Sequence, residues 1–386
     1  MRPRILHVYK DYYPPVVGGI ERTIHLMAQG TRDEFDVRVL VNSGSRRTWT
    51  EELDGVRVTR VAEWGRVASA PISPAFVRAL RREAADADLL HFHHPNPTGD
   101  VACLLTRPAA PIVMTYHSDV VRQRAAMVIY GRIQERMMRA CRVIMPTSPY
   151  YIESSPWLRR HRDRCRVLPL GIDVSRLDPT PEIRERAADI RSRYPGPLIA
   201  FVGRLRYYKG LHYLIRAMKD VDATLLAVGR GADLPRLQAE AASQDVAERC
   251  RFLGDLPEPE MVAVLHAADV FCLPSHLRSE AFGLSQVEAM ACGLPVVSCR
   301  LPTGVPFVNQ DGVTGLTVPP ASSEALASAL NRLLTDQELR LRMGAAAAER
   351  ARSLFSAERM CRDLKEVYRE VLSAGQASLN SPSPLA

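Results

Sequence analysis

The chain has 386 residues, of which 46% are hydrophobic and 24% charged, with a formal net charge of +8. At roughly 150 residues per domain this length makes two or three domains, and the balance excludes a disordered chain, a collagen-like chain and a coiled-coil rod. No apolar run approaches the ~18–20 residues of a membrane-spanning helix, and the opening MRPRILHVYKDYYPP breaks after a short ILHV stretch, so it is not read as a secretory signal.

In chain order, ILHVY (5–9) reads as the first strand and Gly18-Gly19 opens a helix over 20–30. Strands at 37–41 and 56–61, a helix over 74–86, the strand LLHFHH (89–94) and a helix over 97–106 follow. Next come the strand IVMTYH (112–117), a basic amphipathic helix over 122–141, and strands at 142–147 and 166–171. Pro179, Pro181, Pro195, Gly196 and Pro197, with one short charged helical stretch between, mark residues 172–196 as a linker with few regular contacts. The second half repeats the alternation, with strands at 198–203, 224–229, 251–254, 270–274 and 295–298. Its helices fall over 210–219, 233–243, 258–267, 284–292 and 322–334.

Alternating strand and helix predicts an α/β chain of two Rossmann-like, doubly wound parallel-sheet domains, 1–171 and 197–355, facing across a cleft. Ligands of such domains bind at the carboxyl ends of the strands. Residues 356–373 form an amphipathic helix expected to pack back on the first domain, and 374–386 read as a loose tail.

Charge is unevenly spread. Residues 1–171 hold 26 Arg and Lys against 17 Asp and Glu, whereas 172–386 hold 25 against 26. A basic half suggests an anionic partner, or simply an Arg-rich composition, since only four lysines occur. Eight cysteines without a CxxC pair read as reduced, mostly buried thiols of a cytoplasmic protein, not a disulfide frame or a zinc site.

Three segments could carry chemistry. Side-chain-free Gly18 and Gly19 at a helix start would let a phosphate approach backbone amides and the positive helix end. In GRLRYYKG (203–210), Arg204 and Lys209 flank a turn at a strand's carboxyl end and suit a pyrophosphate. In SEAFGLSQVEAMACGLPVVS (279–298), Glu280 precedes Phe282, Gly283 and Leu284, whose amides open a helix carrying Glu288. The amides can hold a phosphate and the carboxylates can accept from hydroxyls. Each segment alone is equally an ordinary turn or solvated helix; their co-occurrence favours a site. The chain has no GxxxxGK[ST] loop, and GRGADL (229–234) is only a fragment of a dinucleotide fingerprint. Alternation sends neighbours in HFHH (91–94) to opposite faces, so packing or a cleft edge is favoured there over a metal.

With PPVVGGIE (14–21), GRLRYYKG, the E-x7-E pattern at 280–288 and VNQDGVTGLTVPP (308–320) in order, the chain resembles the retaining glycosyltransferases of family 4, which have the GT-B fold. The stretch 301–315 looks most like bacterial mannosyl- and rhamnosyltransferases of polysaccharide or lipopolysaccharide assembly. The resemblance implies a nucleotide sugar in the C-terminal half and an acceptor from the N-terminal half, with no cofactor and no metal. Arg204 and Lys209 would hold the pyrophosphate, Glu280 and the 282–284 amides the transferred sugar, and Glu288 the ribose. Gly18 and Gly19 would admit the phosphates. Leu256 and Glu258 would meet the base, and His117 in TYHSD would hydrogen-bond the sugar. Asp11, His94 and Arg122 are candidates for the acceptor. The donor favoured is GDP-mannose, with a UDP-sugar as runner-up.

No carboxylate pair for double displacement stands out. Family likeness implies same-face attack with retention, the departing phosphate taking the acceptor's proton. A glycan or lipid-linked acceptor would suit a peripheral position on the inner face of the membrane. The stretch 120–141, in which Met127, Val128, Ile129, Ile133, Met137 and Met138 mix with Arg122, Arg124, Arg132, Arg136 and Arg139, is read equally as a basic amphipathic helix on an anionic membrane and as a scaffold helix with a solvated arginine face. Two rival readings stay open. One is a GT-B-shaped epimerase or phosphorylase. The other is a basic nucleic-acid-binding protein, disfavoured by 6% aromatic content and scattered arginines.

Overall fold

The computed structural model describes residues 2–16, 18–67, 69–120 and 124–380. The chain divides into two compact units, 1–171 with 357–386, and 172–356. The first contains strands β1 (Arg4–Val8), β2 (Asp36–Asn42), β3 (Trp49–Leu53), β4 (Val56–Val61), β5 (Gly65–Val67), β6 (Ala70–Ile72), β7 (Leu89–His94), β8 (Ile112–Tyr116) and β9 (Cys141–Pro146). Its helices are α1 (Gly19–Gly30), α2 (Pro74–Ala85), α3 (Pro97–Thr106), α4 (Arg124–Ala140), α5 (Pro149–Ser154) and α6 (Pro156–Arg160).

Seven strands form one sheet in the order β3-β4-β2-β1-β7-β8-β9, parallel except for the edge strand β3. β7 is buried throughout, as a central parallel strand covered on both faces must be. The order reverses between β1 and β7, the switch point at which such sheets open a crevice.

The second unit contains α7 (Pro181–Arg193), β10 (Leu198–Val202), α8 (Leu211–Ala217), β11 (Thr224–Val228), α9 (Leu234–Ser243), β12 (Cys250–Gly254), α10 (Glu258–Ala267) and β13 (Val270–Leu273). It continues with α11 (Leu284–Ala291), β14 (Val296–Cys299), α12 (Val305–Val308), β15 (Gly315–Val318), α13 (Ser323–Thr335) and α14 (Gln337–Leu354). Its parallel sheet runs β12-β11-β10-β13-β14-β15, with the switch point between β10 and β13. The last helix, α15 (Ala357–Asn380), belongs to the first unit and packs on α1. Met360, Leu364, Val367 and Tyr368 are its buried stripe, and Lys365–Asp33 (2.6 Å) and Arg369–Glu34 (2.9 Å) pair at its flank.

Three expectations are corrected. Residues 172–196 are not contact-poor: the short charged helix expected there is α7, which is capped by Thr180, buries Ile183 and Ala187 and packs against α10. The pairs Arg186–Glu260 (2.8 Å) and Arg191–Asp269 (2.8 Å) secure it, so the prolines begin and end a helix instead of marking a tether. The 166–171 run is not a full strand. It follows β9 through Arg166 N–H to Ile144 O and Leu168 N–H to Pro146 O, both 2.9 Å, and stops at Pro169, which has no N–H to give. Residues 374–380, expected to be tail, continue α15; 381–386 lie outside the described residues. On α4 Met137 and Met138 are fully buried while Arg132, Arg136 and Arg139 are exposed, the pattern of the scaffold alternative over these residues. The side chains of 124–129 lie outside the described residues.

Candidate active site

Each unit places polar residues at the carboxyl ends of strands flanking its switch point. In the second unit the turn after β10 carries Arg204 and Lys209, and the segment after β13 carries Ser275, Glu280 and the start of α11. Lys209 Nζ lies 2.7 Å from Glu280 Oε2, and Ser275 Oγ donates to the same oxygen at 2.7 Å. Lys209 and Glu280 are both buried, 8% and 6% exposed, so this is a desolvated pair whose partners depend on one another. Burial opposes the Lys209 charge, but the Glu280 carboxylate, with Tyr208 and Glu288 nearby, outweighs it and holds the ammonium's pKa above its ordinary value. Arg204 is exposed on the same turn.

Two glycines make this geometry attainable. Gly210 sits at φ +70°, and a Cβ there would stand 2.0 Å from the Pro274 carbonyl oxygen; the Lys209 turn thus presses on the backbone after β13. Gly283 at φ +79° caps α11, and a Cβ there would stand 2.7 Å from Leu273 Cδ2. The N–H groups of Phe282, Gly283 and Leu284 have no protein acceptor among the described residues, and Ser285 Oγ is buried without a partner. Free amides at a helix start, beside a buried cation, form an anion site with the positive end of the helix dipole. The Phe282 ring packs edge-on against Phe355 at 5.7 Å, so only its backbone is available to a ligand. Glu288 lies half-buried on α11. Leu256 is half-buried, and Glu258 accepts from Arg176 Nη2 at 2.5 Å, so its carboxylate is already engaged.

In the first unit Gly18 is the extended N-cap of α1, and a Cβ there would stand 2.1 Å from Glu21 Oε2. Gly18 therefore makes room for an acid that folds back over the helix start. Asp11 is buried and held by Arg66, whose Nη2 and Nη1 donate to Oδ1 and Oδ2 at 2.6 and 3.1 Å. Arg66 also reaches Glu63, so the Asp11 carboxylate anchors the β5–β6 hairpin. His94 is fully buried, stacked on Tyr116 at 4.5 Å, with both ring nitrogens lacking a partner among the described residues. Burial pushes its pKa down to about 3. Asp11 and His94 are thus both buried within the first unit. Arg122 lies outside the described residues.

His117 follows β8 and is 3% exposed. Its Nε2 lies 3.1 Å from His93 Nδ1, and its Nδ1 is buried with no partner among the described residues. Burial lowers its pKa to about 3, so the ring is neutral. Ser275 was missed at the sequence level, where a serine after an apolar strand carries no signal. The histidine cluster around His117 was missed because its members come from three strands.

The N-terminal part matches the pattern described as "Glycosyltransferase Family 4" over residues 17–176, and the C-terminal part matches "Glycosyl transferases group 1" over 183–350. The chain is 33% identical over 372 residues to the O-antigen chain mannosyltransferase C of Escherichia coli, covering 96% of this chain and 99% of that one. It is 35% identical over 355 residues to the D-rhamnosyltransferase WbpZ of Pseudomonas aeruginosa, covering 92% of each. Among solved structures it is similar to sucrose-phosphate synthase from Thermosynechococcus elongatus, with a TM-score of 0.82, 23% identity and coverage of 97% and 100%. Two wound parallel-sheet units, both family patterns in order and full-length relatives above 30% identity lead to one conclusion: the chain belongs to glycosyltransferase family 4 and has the GT-B fold.

Proposed function

We propose that the protein transfers a hexose, mannose or a close relative, from a nucleoside diphosphate sugar to a glycan or lipid-linked acceptor in cell-surface polysaccharide or glycolipid synthesis, with retention of the anomeric configuration. The observation that carries this reading is the buried Lys209–Glu280 pair beside three amides at the start of α11 that have no acceptor among the described residues. Lys209, Arg204 and the amides would stabilise the charge growing on the departing diphosphate, without a metal. Glu280 would accept from a sugar hydroxyl and hold Lys209 in place. No carboxylate is assigned as nucleophile; the departing phosphate oxygen takes the acceptor's proton on the same face. His117, neutral and buried, would donate its Nδ1–H to the sugar. Glu288 would accept from the ribose.

GDP-mannose is the favoured donor, supported by the mannosyltransferase named among the relatives; the anabaena HepE structure, similar at a TM-score of 0.78, was solved with UDP, which keeps a UDP-sugar as runner-up. The Glu258–Arg176 pair at the start of α10 is the nominated neighbour of the base, with Leu256. The first unit's excess of basic residues suits an anionic, phosphate-linked acceptor at a membrane surface. No helix among the described residues is long and apolar enough to cross a membrane. The test is transfer of labelled sugar from GDP-mannose and from UDP-sugars to lipid-linked and free glycan acceptors, in EDTA. Product anomers are read by NMR. Inverted product or a strict need for added metal overturns the mechanism, and isomerised donor without transfer favours an epimerase.

A further inference from the structure

The first unit contains a chain of buried hydrogen bonds that ends at His117. In the sheet His7 is registered with His91 and His93 with Thr115. Side chains two apart on a strand share a face, and His7, His91, His93, Thr115 and His117 meet on one face, all buried. Tyr368 of α15 inserts its hydroxyl into this group. From the far end, Thr115 Oγ1 is 2.7 Å from His91 Nε2, and His91 Nδ1 is 2.6 Å from Tyr368 Oη. Tyr368 Oη is 3.1 Å from His7 Nε2, and His7 Nδ1 is 3.0 Å from His93 Nε2. His93 Nδ1 is 3.1 Å from His117 Nε2, and the chain stops at His117 Nδ1, which has no partner among the described residues.

Burial lowers the pKa of His7 and His117 to about 3 and those of His91 and His93 well below the ordinary value, so all four rings are neutral. A neutral imidazole has one N–H and one bare nitrogen. Two bare nitrogens, or two N–H groups, facing each other at 3 Å leave buried groups unsatisfied, which is costly. The protons along the chain must therefore all point one way or all the other. With the protons pointing towards His117, Thr115 donates to His91 and the only unmet group is the His117 Nδ1–H. In the reverse sense the Thr115 hydroxyl proton has no acceptor among the described residues and His117 Nδ1 is bare, leaving two groups unmet. The first state has fewer.

We propose that Thr115, His91, Tyr368, His7 and His93 are positioning residues that lock His117 in the Nδ1–H tautomer and so keep a donor ready for a substrate oxygen. Their effect on turnover rests on the role given to His117 above; the tautomer itself does not. A metal is the competing use of His7, His91 and His93, whose nitrogens lie within 4.8 Å of one another. All six of those nitrogens, however, already have a hydrogen-bonding neighbour.

The experiment is long-range proton–nitrogen NMR on the full chain labelled with 15N-histidine, in EDTA and without donor or acceptor. Loss of one ring in His117→Gln assigns the His117 signals. The wild type should show His117 as a single Nδ1–H form. Tyr368→Phe removes one hydroxyl in the middle of the chain and should convert His117 to a mixture of tautomers. Thr115→Val should do the same from the far end, and Thr115→Ser should restore the single form. With a working transfer assay, kcat/KM for the donor should fall by about twofold or more in Tyr368→Phe and Thr115→Val, as the competent fraction falls, and recover in Thr115→Ser. A mixed His117 in the wild type, an Nε2–H form, or a single Nδ1–H form that survives both Tyr368→Phe and Thr115→Val overturns the proposal, as does a stoichiometric transition metal bound by the cluster. A correct tautomer response in a protein that transfers no sugar leaves the chain standing and removes the functional reading.

Discussion

Lys209 and Glu280 are buried partners 2.7 Å apart, with Ser275 donating to the same Glu280 oxygen. Removing one leaves a buried charge unpaired, which typically costs about 3–5 kcal/mol. Glu280→Ala is therefore expected to lower transfer by more than about 100-fold, as for loss of a group that stabilises the transition state. It should also lower the melting temperature while the far-UV spectrum at 25 °C stays that of the wild type. Steady-state kinetics beside thermal denaturation read both, and near-normal turnover removes Glu280 from the site. His94 offers a second residue-scale prediction. It is stacked on Tyr116 and Tyr130 with no polar partner, so it costs stability whenever it must remain uncharged. His94→Phe keeps the stack; at pH 7 it should be neutral or stabilising, and at pH 4.5 more so. A urea midpoint series shows it, and an equal effect at both pH values rules out His94 as a source of acid sensitivity.

At the scale of elements, the proposed donor site depends on how closely two connections pass. The turn after β10 touches the backbone after β13 at Gly210, with φ +70° and room for no Cβ. Gly210→Ala combines a left-handed backbone, about 1–2 kcal/mol for a residue with a Cβ, with a collision against a carbonyl oxygen that cannot swing away. The expected outcome is a loss of stability above that figure, together with weakened nucleotide binding, because relief of the clash moves Lys209 from Glu280. Calorimetric titration with a nucleoside diphosphate checks this; unchanged affinity shows that the turn does not set the site. Alternation of strand and helix was legible because each wound unit needs a buried parallel strand and a covering helix in turn. The edge strand β3 and the helix α14 escaped, since β3 has little apolar character to announce it and α14 is rich in alanine and arginine. The short charged helix within 172–196 was legible but its packing was not, because only the partners on α10 and at Asp269 show that it is docked.

For the molecule as a whole, buried neutral histidines contribute a loss of stability in acid, which buried Asp100, raised to about 7, opposes. His7, His94 and His117 titrate near pH 3 when folded against an ordinary 6.5. Between these values the unfolded chain binds protons that the folded chain refuses, so stability falls as pH drops below about 6.5 and the loss saturates near pH 3. His91 and His93 act in the same direction. Chemical denaturation between pH 7.5 and pH 4 should show this decline, and a flat profile contradicts neutral buried rings. A nucleotide held by the folded state at 100 times its dissociation constant adds about 2.7 kcal/mol. GDP is expected to raise the melting temperature more than UDP or ADP; an equal or larger shift with UDP reverses the choice of base.

From the order of residues alone came the α/β winding, the family and the residue types fit to bind a diphosphate, because each is written in local spacing or in contiguous motifs. Which carboxylate meets Lys209, that Asp11 is bound by Arg66, and that four histidines and a tyrosine from the far C-terminal helix join in one hydrogen-bonded line were decided only by the folded chain. Strand order and register bring together residues that are distant in sequence, and a hydrogen bond forms or fails over a few tenths of an ångström, a precision that no spacing along the chain encodes.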